Sequence, residues 1–170
     1  MFEPCVLGVD PGVAATGIAA VGHRGRHAKL LWADTIRTPS NLPEASRLRH
    51  IHDHVRQAIA AYRPSSVAIE RVAWNKNHAS ALRVARATGA IMLAAAEAGL
   101  AVEEYGPLEV KMAVTGSGMA EKAQVRDALA RLHGLAGVPT QPDAADAVAI
   151  ALCHLTQTPL RRAARAVALP

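Results

Sequence analysis

Cys5-Val6-Leu7-Gly8-Val9-Asp10 is an apolar run that ends in a carboxylate, close to the start of the chain. A continuous apolar run of this length is typical of a strand that is buried on both faces. Ser66-Val67-Ala68-Ile69-Glu70 repeats the pattern after a predicted amphipathic helix at residues 43–62. That crossover is long enough to place the two strands side by side and parallel. Asp10 and Glu70 are then expected at the same edge of one sheet, where open α/β folds bind ligands.

The rest of the chain predicts further elements around this pair of strands. Apolar segments bounded by turn residues predict strands at 16–21, 29–35 and 101–104. Helical periodicity predicts helices at 79–98 and 120–133 and a last helix from Pro142. The expected fold class is therefore α/β, a mixed five-stranded sheet flanked by helices, in one domain of residues 1–158. Residues 159–170 are predicted to be a loose basic tail.

Two more acids stand at the start of the apolar last helix. Asp143 and Asp146 are three residues apart, so they share a helix face. Buried carboxylates are usually paired, protonated or bound to metal, and four that converge would raise one another's pKa unless a cation lay among them. A ligand set of oxygens alone suits Mg²⁺ or Mn²⁺ rather than Zn²⁺. The hypothesis is a metal-dependent phosphoryl-transfer site.

Each of these acids also has a simpler explanation. Asp143 could be an acid that stabilises the first turn of a helix, and Asp10 could be a turn residue before Pro-Gly. Glu70 fits such an explanation less well, because Glu is disfavoured at the end of a buried strand. The metal hypothesis depends on all four acids together.

Composition limits the classes of protein that the chain can be. Hydrophobic residues make up 51% of 170 residues and aromatic residues 3%, so the core must be built from Ala, Val, Leu and Ile. No uncharged apolar run reaches the length of a membrane span, and the N-terminus shows no signal peptide pattern. Cys5 and Cys153 lie in apolar segments and are predicted to be small core residues rather than a disulfide pair, which favours a cytoplasmic protein. A net charge of +5 around an acidic pocket favours a polyanionic substrate such as nucleic acid.

Four segments carry a resemblance to a known family. They are Gly8-Val9-Asp10-Pro11-Gly12, Ala68-Ile69-Glu70-Arg71-Val72, Gly116-Ser117-Gly118-Met119-Ala120-Glu121-Lys122-Ala123-Gln124-Val125 and Asp143-Ala144-Ala145-Asp146-Ala147. In this order and spacing, over about residues 5–155, they resemble the RuvC family of Holliday-junction resolvases. The resemblance implies a ribonuclease H-like fold, a homodimer, and Mg²⁺-dependent nicking of two opposing strands at a four-way DNA junction. It also implies that the metal ligands are Asp10, Glu70, Asp143 and Asp146, and that a branch-migration motor is a partner.

The chemistry expected of such a site is a hydrolysis that uses two metal ions. Two divalent ions held by four carboxylates could activate a water and stabilise the leaving 3′-oxygen. The family resemblance suggests products with 5′-phosphate and 3′-hydroxyl ends. Lys122 could steady the charge of the transition state, and Lys111 could grip the DNA backbone; solvated surface lysines are the alternative for both.

The segment after Glu70 is expected to contact DNA. Relatives commonly carry a Phe that is thought to act on junction bases, but this chain has Ala73 there and Trp74 one residue later. Trp74 either takes over that role or is a packing residue. The polar residues of the same segment would face DNA if it borders the site, or would form a solvated loop in which Asn77 caps a helix. They are Arg71, Asn75, Lys76 and Asn77.

Parts of the sequence also fit two other classes of protein and one further metal site. Asp10-Pro11-Gly12 followed by Thr16-Gly17 resembles the phosphate loop of actin-like ATPases and sugar kinases, although those enzymes need two such domains. A DNA-binding module without catalysis is the second rival, but four acids facing phosphate would not help it. His50 and His54 have a spacing that could bind a metal, but no third ligand is evident in the sequence.

Overall fold

A computed structural model describes residues 5–24, 27–72 and 78–167 of the chain. The strands are β1 (Cys5–Asp10), β2 (Ala15–Arg24), β3 (His27–Arg37), β4 (Ser66–Glu70) and β5 (Ala101–Tyr105). The helices are α1 (Glu44–Tyr62), α2 (His78–Glu97), α3 (Pro107–Thr115), α4 (Lys122–Arg131) and α5 (Pro142–Val167). The strand order is β3-β2-β1-β4-β5; β4 lies parallel to β1 and to β5, whereas β1, β2 and β3 pair antiparallel. The predicted mixed five-stranded α/β fold is confirmed.

Side chains of β1 alternate between two apolar cores, one on each face of the sheet. Leu7 and Val9 belong to the core that α1 and α2 cover, and Val6 belongs to the core beneath α3, α4 and α5. Aliphatic side chains and alanines fill both cores as predicted, and Tyr105 is the largest fully buried side chain. Cys5 and Cys153 are buried, and within the described residues they form no disulfide.

Helix α5 lies directly on the backbone of β1 and β2. A β-carbon added to Gly8 would overlap the carbonyl oxygen of Ala147, and one added to Gly17 would overlap the carbonyl oxygen of Asp143. Only a residue without a side chain permits this approach, since an overlap with backbone cannot be relieved by a rotamer change. The two glycines therefore bring the N-terminal end of α5 close to the end of β1.

Helix α2 packs against the sheet with one face only. Ala87, Ile91 and Ala94 are fully buried against the sheet, while Leu82 and Leu93 on the outer face are 49% and 55% exposed. By length and composition alone, α2 is the one helix of the described residues that could cross a membrane. Its packed inner face accounts for that composition, because the core helix of an α/β domain has the same character.

Two segments differ from the expectations. Helix α3 was not predicted. Gly106 is its N-cap and Pro107 its first residue, and the Glu109 side chain accepts the Gly106 N–H at 2.8 Å, as the third residue of a capping box does. Helix α5 continues past Pro159 to Val167, where a loose tail was expected. The Ala- and Arg-rich sequence there has high helix propensity, which accounts for the helical backbone. The division of the chain at residue 158 stays a prediction.

Candidate active site

Asp10 and Glu70 end two neighbouring parallel strands. Val9 and Ile69, the residues just before them, are paired in register, so the two carboxylates leave the sheet at the same edge. This is the placement that the two apolar runs predicted. Val9 and Ile69 are fully buried, which fixes both strand ends in the core.

Helix α5 adds the second pair of acids. Gly17 is the cross-strand partner of Asp10, and the carbonyl of Asp143 lies against Gly17, so the first turn of α5 begins beside Asp10. Asp146 follows one turn later and lines the same cleft as Asp10 and Glu70. Backbone contacts of the strands and of α5 thus bring the four acids together without the help of a bound ion.

The electrostatics of the cluster are those of crowded acids. Burial, and then the nearby charges of Glu70, Asp146 and Asp143, raise the pKa of Asp10 from 3.8 to about 8. Burial and the charge of Asp146 also raise the pKa of Glu70, while Lys122 and a hydrogen bond from Asp10 oppose that rise. Like charges in a partly buried site disfavour ionisation, and a cation relieves that cost.

Lys122 supplies the nearest positive charge. It is the first residue of α4, and its Nζ lies 2.6 Å from Oδ2 of Asp146. That hydrogen bond is the main cause of the raised pKa of Lys122. The side chain is 74% exposed, so the ion pair contributes little to stability and the ammonium is free to move.

These side chains surround a cleft of about 430 Å³. Lys111 reaches it from α3, so the structure brings both predicted lysines to the acids. The apolar part of the wall, which the sequence analysis did not identify, comes from α3, α4 and α5. Its residues are Pro107, Val110, Val125, Ala149 and Ile150. The Gly106-Pro107 helix start would have indicated that α3 and Lys111 lie here.

The donor set fits divalent metal ions by its chemistry. Four carboxylates offer only oxygen, and a bound cation would offset the burial and the neighbouring acids that raise the pKa of Asp10. Among the described residues, however, no three His, Cys, Asp or Glu side chains already form a closed ligand group. One of the acids, Asp146, is instead paired with Lys122.

Arg71 directly follows Glu70, and its guanidinium lies close to two acceptor oxygens. Its Nη2 lies 3.7 Å from Oε2 of Glu109 and 3.4 Å from the carbonyl oxygen of Glu104. The other residues of this segment that were predicted to bind DNA lie outside the described residues, so their roles stay predictions. They are Trp74, Asn75, Lys76 and Asn77, together with the neighbouring Ala73.

His50 and His54 lie away from the acids, in a separate pocket between α1 and β3. Their ring centroids are 4.1 Å apart, and Nδ1 of His54 lies 2.9 Å from the carbonyl oxygen of His50. Within the described part of the chain no third side chain completes a metal site with them. The structure therefore gives no support for a metal site at these two histidines of α1.

A family model described as crossover junction endodeoxyribonuclease RuvC matches residues 6–154. The chain belongs to the RuvC family. The RuvC protein of Mycobacterium avium is 46% identical over 96% of this chain and 88% of the relative, and that of Moorella thermoacetica is 43% identical over 96% and 98%. The structure of T. thermophilus RuvC in complex with Holliday junction substrate superposes with a TM-score of 0.87, at 34% identity, over 93% of this chain and 96% of that one.

Membership of the RuvC family confirms the resemblance drawn from the four segments. It confirms the ribonuclease H-like fold class as well, because the superposition extends over nearly the whole chain. The family is one of endodeoxyribonucleases. Neither the ATPase hypothesis nor the hypothesis of a binding module without catalysis agrees with that class.

The raised pKa of Asp10 predicts how stability depends on pH when metal is absent. The folded state holds this proton up to about pH 8, whereas an unfolded chain releases it near 3.8. Protonated Asp10 therefore contributes fully to the free energy of unfolding below about pH 3.8, and this contribution is lost as the pH rises through about 8. Melting in a chelator should thus occur at lower temperature at about pH 8 than at about pH 5.

Added Mg²⁺ should raise the melting temperature more at the higher pH, because ions bind the deprotonated acids. Asp10→Asn removes this group and is the control, since its melting temperature in chelator should change less between the two pH values. A wild-type melting temperature in chelator that rises from about pH 5 to about pH 8 would contradict the prediction.

Proposed function

We propose that this chain resolves four-way DNA junctions by paired symmetric nicks, through metal-dependent hydrolysis that leaves 5′-phosphate and 3′-hydroxyl ends. The observation that carries the proposal is the convergence of Asp10, Glu70 and Asp146 on one cleft, with Asp143 beside Asp10. The T. thermophilus relative is described in complex with Holliday junction substrate, which supports a junction as the substrate here. The reaction would serve DNA recombination and repair, and the predicted location is cytoplasmic.

The four acids would hold two Mg²⁺ ions, and Mn²⁺ is expected to substitute because it accepts the same oxygen ligands. Bound ions would supply an activated water and stabilise charge on the scissile phosphate. Asp10 and Glu70 are fixed by the sheet, whereas Asp143 and Asp146 are fixed by α5. The chain thus presents two ligands from a strand pair and two from a helix.

Lys122 has a role of its own in this proposal. In the structure its ammonium neutralises Asp146 at 2.6 Å. When an ion takes over that neutralisation, the exposed lysine can turn toward the phosphate and stabilise its developing charge. Lys111, which lines the same cleft from α3, would hold the DNA backbone.

A nicking assay tests the proposal as a whole. A synthetic four-way junction should be cut at two symmetric positions with Mg²⁺ or Mn²⁺, whereas Ca²⁺ should support binding without cutting. A linear duplex of the same sequence should remain intact. ATP turnover, measured on the same preparation, should be absent. Equal cutting of the duplex and the junction would contradict the proposed specificity.

Lys111→Ala should weaken junction binding and flatten its dependence on salt. One lost phosphate contact removes about one unit from the slope of log affinity against log salt. Fluorescence anisotropy in Ca²⁺ at several salt concentrations measures the slope. Lys29→Ala is the matched control, because Lys29 is an exposed lysine on the far edge strand β3 and should leave the slope unchanged. An unchanged slope for Lys111→Ala would place that lysine away from DNA.

Two symmetric nicks need two active sites, so we infer a homodimer that forms through the outer face of α2. Leu82, Gly89 and Leu93 follow one another at helical spacing on this face. No atom of the described residues lies within 4 Å of the place where a β-carbon on Gly89 would be. Ile91 and Ala94 of the same helix are fully buried in the core on the sheet side, so they do not belong to this outer face. The motor partner stays a proposal without an assigned surface.

Leu93→Glu should therefore convert the dimer to a monomer and uncouple the two nicks. A charge in an apolar interface is costly, whereas the same charge on an exposed monomer surface is tolerated. Sedimentation velocity gives the oligomeric state, and a supercoiled cruciform plasmid reports whether both strands are cut together. Leu31→Glu on β3 is the control for an exposed leucine. A wild-type monomer that cuts both strands together would exclude the dimer.

A further inference from the structure

Three polar side chains, two of them buried and the third partly buried, meet where α5 crosses β4 and β5. His154 of α5 is 6% exposed and Tyr105 is fully buried. Nδ1 of His154 lies 3.0 Å from Oη of Tyr105, and Nε2 lies 3.0 Å from Oγ of Ser66. The rings of His154 and Tyr105 meet edge to face, with centroids 5.7 Å apart at 89°. Both nitrogens of one imidazole are thus held by two different strands.

Burial makes this arrangement costly unless every member is hydrogen-bonded. A neutral imidazole meets that condition, since one nitrogen donates and the other accepts, and the two hydroxyl groups can rotate to suit. An apolar residue at position 154 would pack in the same place without that requirement. The polar choice therefore indicates a function in geometry rather than in stability alone.

The geometry in question is the register of α5 on the sheet. Most of the residues with which α5 faces β1 and β2 are small and apolar, among them Ala144, Ala147 and Ala151. Smooth contacts of this kind hold a helix close to a sheet but do little to prevent sliding or rotation about its axis. Hydrogen bonds require both a distance and a direction, so two of them on one imidazole fix both motions.

The strands that hold His154 are also the strands beside the active site. Ser66 begins β4, whose last residue is Glu70, and Tyr105 is the partner of Glu70 in the pairing of β4 with β5. The Tyr105 carbonyl also accepts the N–H of Arg71 at 2.8 Å. On the helix, His154 lies eight residues after Asp146, or about 12 Å along the axis. A shift of α5 at His154 would therefore move Asp146 relative to Glu70.

We propose that His154 is a positioning residue: with Tyr105 and Ser66 it sets where α5 lies on β4 and β5, and so sets the spacing of Asp146 and Glu70. The inference rests on the proposed function, because that spacing matters if the two acids share divalent ions. Gly8 and Gly17 determine how near α5 approaches the sheet. The His154 network determines its position along and around its own axis.

Metal binding by the protein without DNA tests this role. Tyr105→Phe, Ser66→Ala and His154→Leu should each bind Mn²⁺ about tenfold more weakly in calorimetric titration, as expected when support for a ligand set is lost. Nicking should require correspondingly more metal, while junction affinity in Ca²⁺ stays unchanged. His154→Gln can both donate and accept, so it should recover part of the Mn²⁺ affinity.

A core variant on the other face of the sheet separates positioning from stability. Val55→Ala in α1 removes buried methyl groups far from α5 and should lower the melting temperature without changing Mn²⁺ affinity. If the network variants behave like Val55→Ala, His154 has only a structural role and the proposal is wrong. If His154→Leu does not fold, Tyr105→Phe decides, since it removes one hydroxyl and keeps the ring. A wild-type protein that binds no Mn²⁺ would overturn the metal-dependent function itself, and this inference with it.

Discussion

Replacing any one of the four acids by its amide is expected to reduce junction nicking by at least about 1,000-fold, because losing a ligand to catalytic metal removes several kcal/mol of transition-state stabilisation. The variants are Asp10→Asn, Glu70→Gln, Asp143→Asn and Asp146→Asn. Junction binding in Ca²⁺ should stay within about threefold of wild type, because phosphate contacts from basic residues supply the affinity. Single-turnover cleavage and anisotropy on one preparation give both quantities.

Stability separates loss of a ligand from loss of structure. Because burial and then the charges of the other acids raise the pKa of Asp10, Asp10→Asn should melt at higher temperature than wild type in chelator at about pH 8. Asp127→Asn, which changes an exposed acid of α4, is the matched control and should leave nicking unchanged. An acid whose amide variant still nicks at near the wild-type rate in Mg²⁺ is not a ligand.

Gly17→Ala should disrupt both folding and catalysis through one added methyl group. The methyl would overlap the Asp143 carbonyl, so the first turn of α5 must move away from β2. Overpacking of this kind costs about 1–3 kcal/mol or more, and displacement of two of the proposed metal ligands should lower nicking at least about tenfold. Urea denaturation and the nicking assay measure the two effects.

Gly118→Ala serves as the stability control for this substitution. A β-carbon on Gly118 would meet only ordinary contacts, the nearest at 3.7 Å from Leu108. Its free energy of unfolding should therefore stay close to that of wild type. If Gly17→Ala matched Gly118→Ala in the free energy of unfolding and also nicked at the wild-type rate, close packing of α5 would not be what places Asp143.

The acids could be placed from the sequence because each one ends or begins a strongly apolar segment. Asp10 and Glu70 follow short apolar runs that are typical of buried strands, and the crossover between them favours a parallel arrangement. Asp143 and Asp146 open a helix with hardly any polar face. Local pattern and tertiary structure agree at these points, so prediction succeeds.

Other features depend on contacts that are distant in sequence. The pairing of Lys122 with Asp146 needs α4 to face α5, and no local pattern encodes that orientation. His154 appears in the sequence as one polar residue in an apolar helix, and only the fold reveals its partners in β4 and β5. Helix α3 was missed for a different reason: its nine residues are too few to display periodicity.

The contact between Asp143 and Gly17 also bears on when the chain becomes active during its synthesis. Asp10 and Glu70 leave the ribosome early, but α5 follows every other described element along the chain. If all four carboxylates are needed, a partly synthesised chain has two of them and cannot yet cut nucleic acid. The order of the elements thus delays nuclease activity until the sheet is complete and its last helix has docked on the two glycines.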